Sequence, residues 1–239
     1  MLEKFEQFIN ELKQNPYISV NEESVADNRE LLEYRDNEEC FEEVYEDWKI
    51  RVPEEDWKYN DLGSLCLDWD SITDQPGEEY LWGGFQLHTF SSALSSPSNF
   101  WDRYNDSPRF WKNNPQPEAE SIWETFLPKL NYINGSGHGS DGTFGCILRE
   151  EGIYPCPVYF FDSGIWFEMD LSQEAYYNTM IDCKAVYYWQ YFYVATEEIV
   201  KKLGNFKPVY IEEGAKFLEG PHPFADKFRD GTFTYSAEG

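Results

Sequence analysis

Basic residues are scarce in this chain: 19 lysines and arginines stand against 45 aspartates and glutamates in 239 residues, a formal net charge of -26. The deficit is not confined to one end. Residues 1–60 carry 18 acids and 7 bases, residues 61–145 carry 12 and 4, and residues 146–239 carry 15 and 8. Such a chain repels a nucleic-acid backbone or an anionic membrane surface and is steered towards basic proteins. Cysteine is also sparse. Cys40, Cys66, Cys146, Cys156 and Cys183 make an odd number and none pairs at CxxC spacing. Neither a disulfide framework nor a zinc site is therefore expected, and a reducing cytoplasmic compartment is. His88, His138 and His222 stand in three unrelated contexts, away from metal spacing or a nucleophile motif. No apolar run approaches the roughly 18 residues a membrane helix needs. The opening MLEKFEQFINELK lacks the basic-then-apolar order of a signal peptide.

Aromatics are what the chain has in abundance, at 18% of residues, and they accompany the acids everywhere, which excludes a disordered acidic tail. The pattern predicts an α+β protein: one domain over residues 1–239, with a mainly antiparallel central sheet flanked by helices and a long aromatic-rich insertion. Residues 1–50 read as N-terminal helices. Leu2, Phe5, Ile9 and Leu12 mark a first helix over about 2–14, stopped by Asn15-Pro16. An irregular stretch over 15–28 leads to a second helix over about 29–50, apolar at Phe41, Val44, Tyr45 and Trp48. Residues 53–120 read as an irregular insertion holding a short strand at Ser64–Ile72, a strand pair or bulged strand around Gly83-Gly84, and an aromatic-pinned excursion from Ser91 to Glu120. Residues 121–204 read as the core. A helix opened by the Ser121/Glu124 capping box places Leu130 inward, and a glycine loop spans Asn134–Gly142. Strands follow at Thr143–Arg149, Pro157–Asp162 and Ile165–Met169, then a helix capped by Ser172 and running to about Cys183. The aromatic run 187–193 fits helix or strand. A helix capped by Thr196 follows, and residues 205–239 form a C-terminal helix and tail.

Chemistry-bearing motifs are thin. Gly137–Gly142 matches GxGxxG, but a helix precedes it and a strand follows, the reverse of a dinucleotide site. Asp68-Trp-Asp70 resembles the acidic strand of one chitinase-type glycosidase family, yet Ser71, Ile72 and Thr73 follow where an acid is needed. Asp68, Asp70 and Asp74 lack the glycine and terminal glutamate of a calcium loop. Cys146 and Cys156 sit among apolar strand residues and read as core thiols. No cofactor and no metal are expected, and no catalytic residue is assigned.

Two stretches, DGTFGCILREEGIYPCPVYFFDSG (Asp141–Gly164) and LSQEAYYNTMIDCKAVYYWQYFYV (Leu171–Val194), carry a resemblance. A glycine-marked strand, a strand ending in an acidic turn and a Ser-capped helix with tyrosines one turn in make the chain similar to the SUKH superfamily. That superfamily comprises α+β immunity proteins of bacterial toxin systems and fungal cell-wall synthesis regulators. The resemblance implies a non-enzymatic immunity protein, cytoplasmic and bacterial, that binds a protein toxin and neutralises it by occlusion. The charge implies that the toxin is basic, nuclease-like, with no nucleic-acid or membrane partner. The carboxylates expected to meet it are Glu38, Glu39, Glu42, Glu43, Glu46 and Asp47 on the second helix, then Asp68, Asp70 and Asp74. Aromatic rings would supply the desolvated centre of the contact. A glycan-binding or cell-wall regulatory protein, an acidic DNA mimic that inhibits a restriction or CRISPR nuclease, and an enzyme using Asp68 and Asp70 remain open alternatives. Oligomeric state is left open.

Overall fold

The computed structural model describes residues 1–24, 56, 59, 62, 65–72, 81–88, 109–111, 130–135, 143–149, 154–162 and 165–194. Helix α1 (Leu2–Gln14) forms where the spacing of three and four demands it, with Phe5, Phe8, Ile9 and Leu12 buried and the charged positions outward. At its end the Asn15 N–H donates to the Leu12 carbonyl and the chain turns into β1 (Ile18–Ser24).

The remaining strands are β2 (Cys66–Ser71), β3 (Trp82–Leu87), β4 (Arg109–Trp111), β5 (Leu130–Gly135), β6 (Thr143–Leu148), β7 (Val158–Asp162) and β8 (Ile165–Met169). They form one sheet of eight strands in the order β1-β2-β3-β5-β6-β7-β8-β4. Every pairing is antiparallel except the last, in which β4 runs parallel to β8 along the far edge. Helix α2 (Gln173–Asp182) follows β8, and a single turn, α3 (Tyr191–Val194), ends the described chain.

The alternation of side chains along each strand divides the sheet into two faces. Towards α1 and α2 point Leu67 and Trp69 of β2, Phe85 and Leu87 of β3, Ile147 of β6, Val158 and Phe160 of β7, and Phe167 and Met169 of β8. These pack with Phe5, Tyr176, Tyr177, Met180 and Tyr191 into one cluster. Phe5 meets Phe85 edge-on at 5.2 Å, and Phe160 meets Tyr191 at 5.2 Å. On the other face Tyr132, Phe144, Phe161 and Trp166 form a continuous row, with Phe144 stacked on Phe161 at 4.5 Å and Phe161 against Trp166 at 4.7 Å. Both faces of β6 and β7 are therefore buried, and their sequences are unbroken apolar runs without alternation. Each ring pair of this kind adds about 0.5–1.5 kcal/mol beyond its buried area.

Two glycines make this packing possible. A Cβ on Gly83 would lie 2.4 Å from the indole of Trp69, which is fully buried and donates from Nε1 to the Lys184 carbonyl at 3.0 Å. A Cβ on Gly145 would lie 2.3 Å from the Tyr176 hydroxyl and 2.4 Å from Asn134 Oδ1, two groups joined by a 2.6 Å hydrogen bond in the interior.

Helix α2 begins as its sequence directs: Ser172 Oγ accepts from the Ala175 N–H. Beyond it the chain reverses through Lys184 and Ala185, both at positive φ, and lays its backbone along β3. Gly84 N–H donates to the Ala185 carbonyl and Tyr187 N–H to the Trp82 carbonyl, filling the edge of β3 that β5 does not reach.

Several elements differ from the sequence expectation. Residues 18–24, expected to be irregular, form β1: an edge strand needs few apolar residues, and ISVNEES has few. The Gly83-Gly84 stretch is one strand in unbroken register with β2, because the glycines accommodate Trp69 and the β2 backbone without bending the strand. Leu130 lies in β5, not in a helix, and Asn134 and Gly135 belong to the same strand, not to the glycine loop. Within the stretch read as an insertion, β2 and β3 are interior strands of the sheet and β4 is its far edge. The expected helices over 29–50, 121–129, 196–204 and 210–218, the excursion beyond β4, and the Gly137–Gly142 motif lie outside the described residues. Among the described residues no helix is long and apolar enough to cross a membrane.

Candidate partner-binding surface

Of the carboxylates singled out in the sequence, Glu38, Glu39, Glu42, Glu43, Glu46, Asp47 and Asp74 lie outside the described residues. Asp68 and Asp70 are both on β2, two positions apart, and so project to the same side of the sheet, away from α1 and α2. Their neighbours in register explain why carboxylates are tolerated there. Asp68 lies opposite Gly84, with the Gly84 Cβ position 3.3 Å from Asp68 Oδ1, so the carboxylate occupies space a side chain would otherwise take. Asp70 lies opposite Ser19 and accepts a short hydrogen bond from Asn21 Nδ2 across the strand pair. Glu22 falls opposite Asp68 along β1, next to a register shift between Val20 and Glu22. The β1–β2 end of the sheet thus concentrates acid along the chain, whereas the β5–β8 end concentrates rings.

The ring anchors expected beside these acids are mostly not at the surface. Trp69, Trp166, Tyr176, Tyr177 and Tyr191 are all fully buried, and the run from Tyr187 to Tyr191 turns Tyr187, Trp189 and Tyr191 inward. Burial, with the carboxylate of Asp162 adjoining, pushes the Tyr191 phenol far above its ordinary value. The phenol donates a short hydrogen bond to that carboxylate. Tyr176 and Tyr177 are raised chiefly by burial as well. These are structural phenols, kept protonated by their surroundings.

Three large apolar side chains are exposed among the described residues: Tyr17 at 70%, Ile72 at 47% and Tyr154 at 53%. Two of them meet. The Ile72 N–H donates to the Tyr17 carbonyl at 2.8 Å, which sets the residue leaving β2 beside the residue entering β1. The Tyr17 N–H is held by Asn15 Oδ1 at 2.9 Å, the local side-chain turn expected of Asn before Pro, and this fixes the backbone from which the ring projects. Tyr17, Ile72, Asn21 and Asp70 thereby form one patch at the open end of the β1–β2 pair, apolar in the middle and acidic beside it.

Sequence reasoning passed over Tyr17 and Ile72. Tyr17 follows Asn15-Pro16 and carries no motif, and Ile72 looks like the last apolar residue of a strand. A signal was present in the register: with Leu67, Trp69 and Ser71 inward, the strand period puts Ile72 outward.

Other titratable groups are tuned by burial. His88 is lowered by desolvation, with its ring 6.1 Å from Tyr132. The thiols of Cys146 and Cys183 are raised by burial, the latter to about 12, so both are protonated core groups, as the sequence indicated for Cys146. Cys156, also read as a core thiol, is 8% exposed. No cluster of three or more His, Cys, Asp or Glu side chains suited to a metal occurs among the described residues. Compared with known proteins, the chain matches no family model, no curated protein and no solved structure.

Proposed function

We propose that the protein is a non-enzymatic immunity protein of the SUKH superfamily, bacterial and cytoplasmic, which binds a basic, nuclease-like toxin stoichiometrically and neutralises it by occlusion. The observation that carries this reading is the exposed Tyr17–Ile72 pair beside Asp70 on a chain of net charge -26. An aromatic anchor that is desolvated on docking, surrounded by charges that complement the partner, is the arrangement from which protein interfaces draw most of their affinity. The charge acts at longer range, steering a basic partner to this surface at rates that fall as salt is added. A toxin that holds nucleic acid does so with lysines and arginines. Carboxylates that occupy those same side chains block the substrate without any chemistry of their own. The resemblance of Asp141–Gly164 and Leu171–Val194 to the superfamily supports the same reading independently of the surface.

The test is capture from the native host at low salt, with the bound protein identified by mass spectrometry, using wild type and the Tyr17→Ala and Asp70→Lys variants. A basic protein is recovered in stoichiometric amount with wild type. Each variant weakens capture by roughly thirtyfold, the effect of losing about 2 kcal/mol at an anchor position. Recovery of the monomer alone at low salt would sink the proposal. So would capture of a restriction or CRISPR nuclease through its DNA-binding groove, or specific hits on a glycan array, each of which belongs to one of the competing readings.

A further inference from the structure

Strand β1 lies at one edge of the sheet. Among the described residues it pairs with β2 alone, and Ser19 and Asn21 are exposed along it. The hydrogen bonds at its start fix which main-chain groups face outward. The Ile72 N–H donates to the Tyr17 carbonyl at 2.8 Å, whereas the Ser71 N–H donates to the Leu81 carbonyl at 2.7 Å, on the β3 side of β2. Ile18 lies opposite Ser71 and Val20 opposite Trp69. Both therefore occupy the alternate positions of an antiparallel pair, whose N–H and C=O groups point away from the partner strand. The Ile18 N–H donates to the Asn15 carbonyl at 3.2 Å. The Ile18 carbonyl and both main-chain groups of Val20 are left directed out from the sheet edge. A register shift between Val20 and Glu22 interrupts the ladder just beyond, so this stretch is short. The side chains around it are sorted by face: Val20 packs on the core, whereas Tyr17, Ser19, Ile72 and Asp70 lie on the other side, with Asp70 opposite Ser19 and bonded to Asn21.

We infer that this edge takes an extended, basic segment of the protein partner as an added strand. A strand edge is a template for main-chain pairing, and the charges placed beside it decide which chains can add. Here that charge is negative. A second copy of this chain brings its own Asp70 and a further net charge of -26, and an acidic segment meets the same repulsion. A segment that alternates basic and apolar residues fits both faces of the edge. Its apolar side chains fall on the side of Val20. Its basic side chains fall beside Tyr17 and Ser19, two strand spacings, about 10 Å, from Asp70. A lysine or arginine stem and the aspartate span that gap together across the small Ser19 side chain, and the stem covers the Tyr17 ring. The identity of the segment's owner rests on the proposed toxin-binding function; the preference of the edge for a basic strand does not. To the Tyr17–Ile72 anchor the edge adds main-chain bonds, which fix the direction and register of what docks there.

The experiment titrates an end-capped heptapeptide of alternating Lys and Val into isotopically labelled protein and follows the backbone amides by NMR. The comparison probes are the same peptide N-methylated at alternate residues, which keeps the charge but blocks main-chain pairing, and a peptide of alternating Glu and Val. The Lys-Val peptide shifts the Val20 amide saturably and slows its hydrogen exchange about tenfold. The N-methylated peptide binds at least about tenfold more weakly, and the Glu-Val peptide gives no saturable shift. Val20→Pro, which removes the outward N–H at a position where an edge strand tolerates proline, weakens binding about fivefold, whereas Val20→Ala leaves it within about twofold. The N-methylated peptide on wild type keeps the test decisive if Val20→Pro does not fold. Equal binding of the N-methylated peptide overturns the inference, because charge alone then suffices. Equal binding of the Glu-Val peptide, saturable shifts that leave Val20 unmoved, or no saturable shift at all overturn it too. If the Lys-Val peptide adds at Val20 but no basic protein is captured from the host, the edge stands and the immunity reading falls. If a basic toxin is captured equally well by folded Val20→Pro, strand addition is not its mode of docking, while the immunity reading stands.

Discussion

Arg149→Met is the substitution from which most can be learned. Arg149 and Asp56 are 2% and 4% exposed, lie 93 positions apart, and make an ion pair of 3.1 Å in the interior. Methionine has nearly the length of the arginine stem but no charge, so the substitution leaves the Asp56 carboxylate buried with the Tyr154 hydroxyl at 3.4 Å. Breaking a buried pair from one side costs about 3–5 kcal/mol, because the abandoned charge keeps its desolvation penalty and loses its compensation. That is a large share of the roughly 5–15 kcal/mol by which a domain is stable. At about 2–4 °C per kcal/mol for a chain of this size, the midpoint falls by about 6–20 °C. Thermal unfolding followed by the fluorescence of the nine tryptophans measures the midpoint, and urea unfolding measures the free energy. The decisive control is Arg149→Met combined with Asp56→Leu. Removing both charges removes the penalty as well, so the double variant is more stable than Arg149→Met alone. An Arg149→Met protein within about 1 kcal/mol of wild type, or a double variant as unstable as the sum of the single ones, refutes the reasoning.

Two further outcomes follow from the interior. Gly83→Ala pushes a methyl group to 2.4 Å from the fully buried indole of Trp69, so the ring must move against a packed core; the expected loss is about 1–3 kcal/mol in urea unfolding, and a neutral result would show that Trp69 has room the geometry denies. Stability also falls steeply in alkali. Tyr176, Tyr177 and Tyr191 have phenols raised above 10 by burial. The folded state therefore keeps protons that the unfolded state releases; the contribution is intact below about pH 10 and is lost as pH rises beyond it, by about 1.4 kcal/mol per group per pH unit. An unfolding free energy that stays flat from pH 9.5 to 11.5 in a pH-titrated urea series, an interval chosen to straddle the ordinary phenol value of about 10, would show that these hydroxyls ionise in place.

The parts of the fold legible in the sequence are those where local chemistry and tertiary packing agree. α1 follows from Phe5, Ile9 and Leu12, and α2 from Ser172, whose hydroxyl makes the cap that its position implies. The strands β6, β7 and β8 follow from turn residues between apolar runs. What was illegible depends on partners distant in sequence. β1 is a strand because β2, more than forty positions on, offers it an edge, and nothing in ISVNEES alone announces that. β5 is read as the end of a helix because Ile122, Phe126 and Leu130 keep helical spacing, but Leu130–Gly135 is claimed by the pairing with β6. The aromatic run 187–193 has no period because its residues answer to different neighbours: Trp189 packs on Tyr176, Tyr191 reaches Asp162, and Tyr187 tilts onto Trp82. The acids on β2 could be named from sequence. The exposed pair that gives them a centre could not, because Tyr17 and Ile72 become neighbours only when β1 and β2 pair.

The resemblance-bearing stretch and the candidate surface are thus different parts of one sheet, and the difference has a physical consequence. Among the described residues from Thr143 to Tyr191 most large side chains are buried, Tyr154 excepted, and pairs such as Tyr176–Asn134 and Tyr191–Asp162 tie their polar groups in the interior. A change there is paid in stability. The β1–β2 end is held to the sheet by backbone ladders and by Ile18, Leu67 and Trp69 on the helical face, while Tyr17, Ile72 and Asp70 face outward and contribute little to folding. Side chains at those three positions can be exchanged at a cost near the few tenths of a kcal/mol usual for surface sites. The chain thus separates two tasks: a rigid aromatic interior fixes where the surface lies, and the interior does not constrain the composition of that surface.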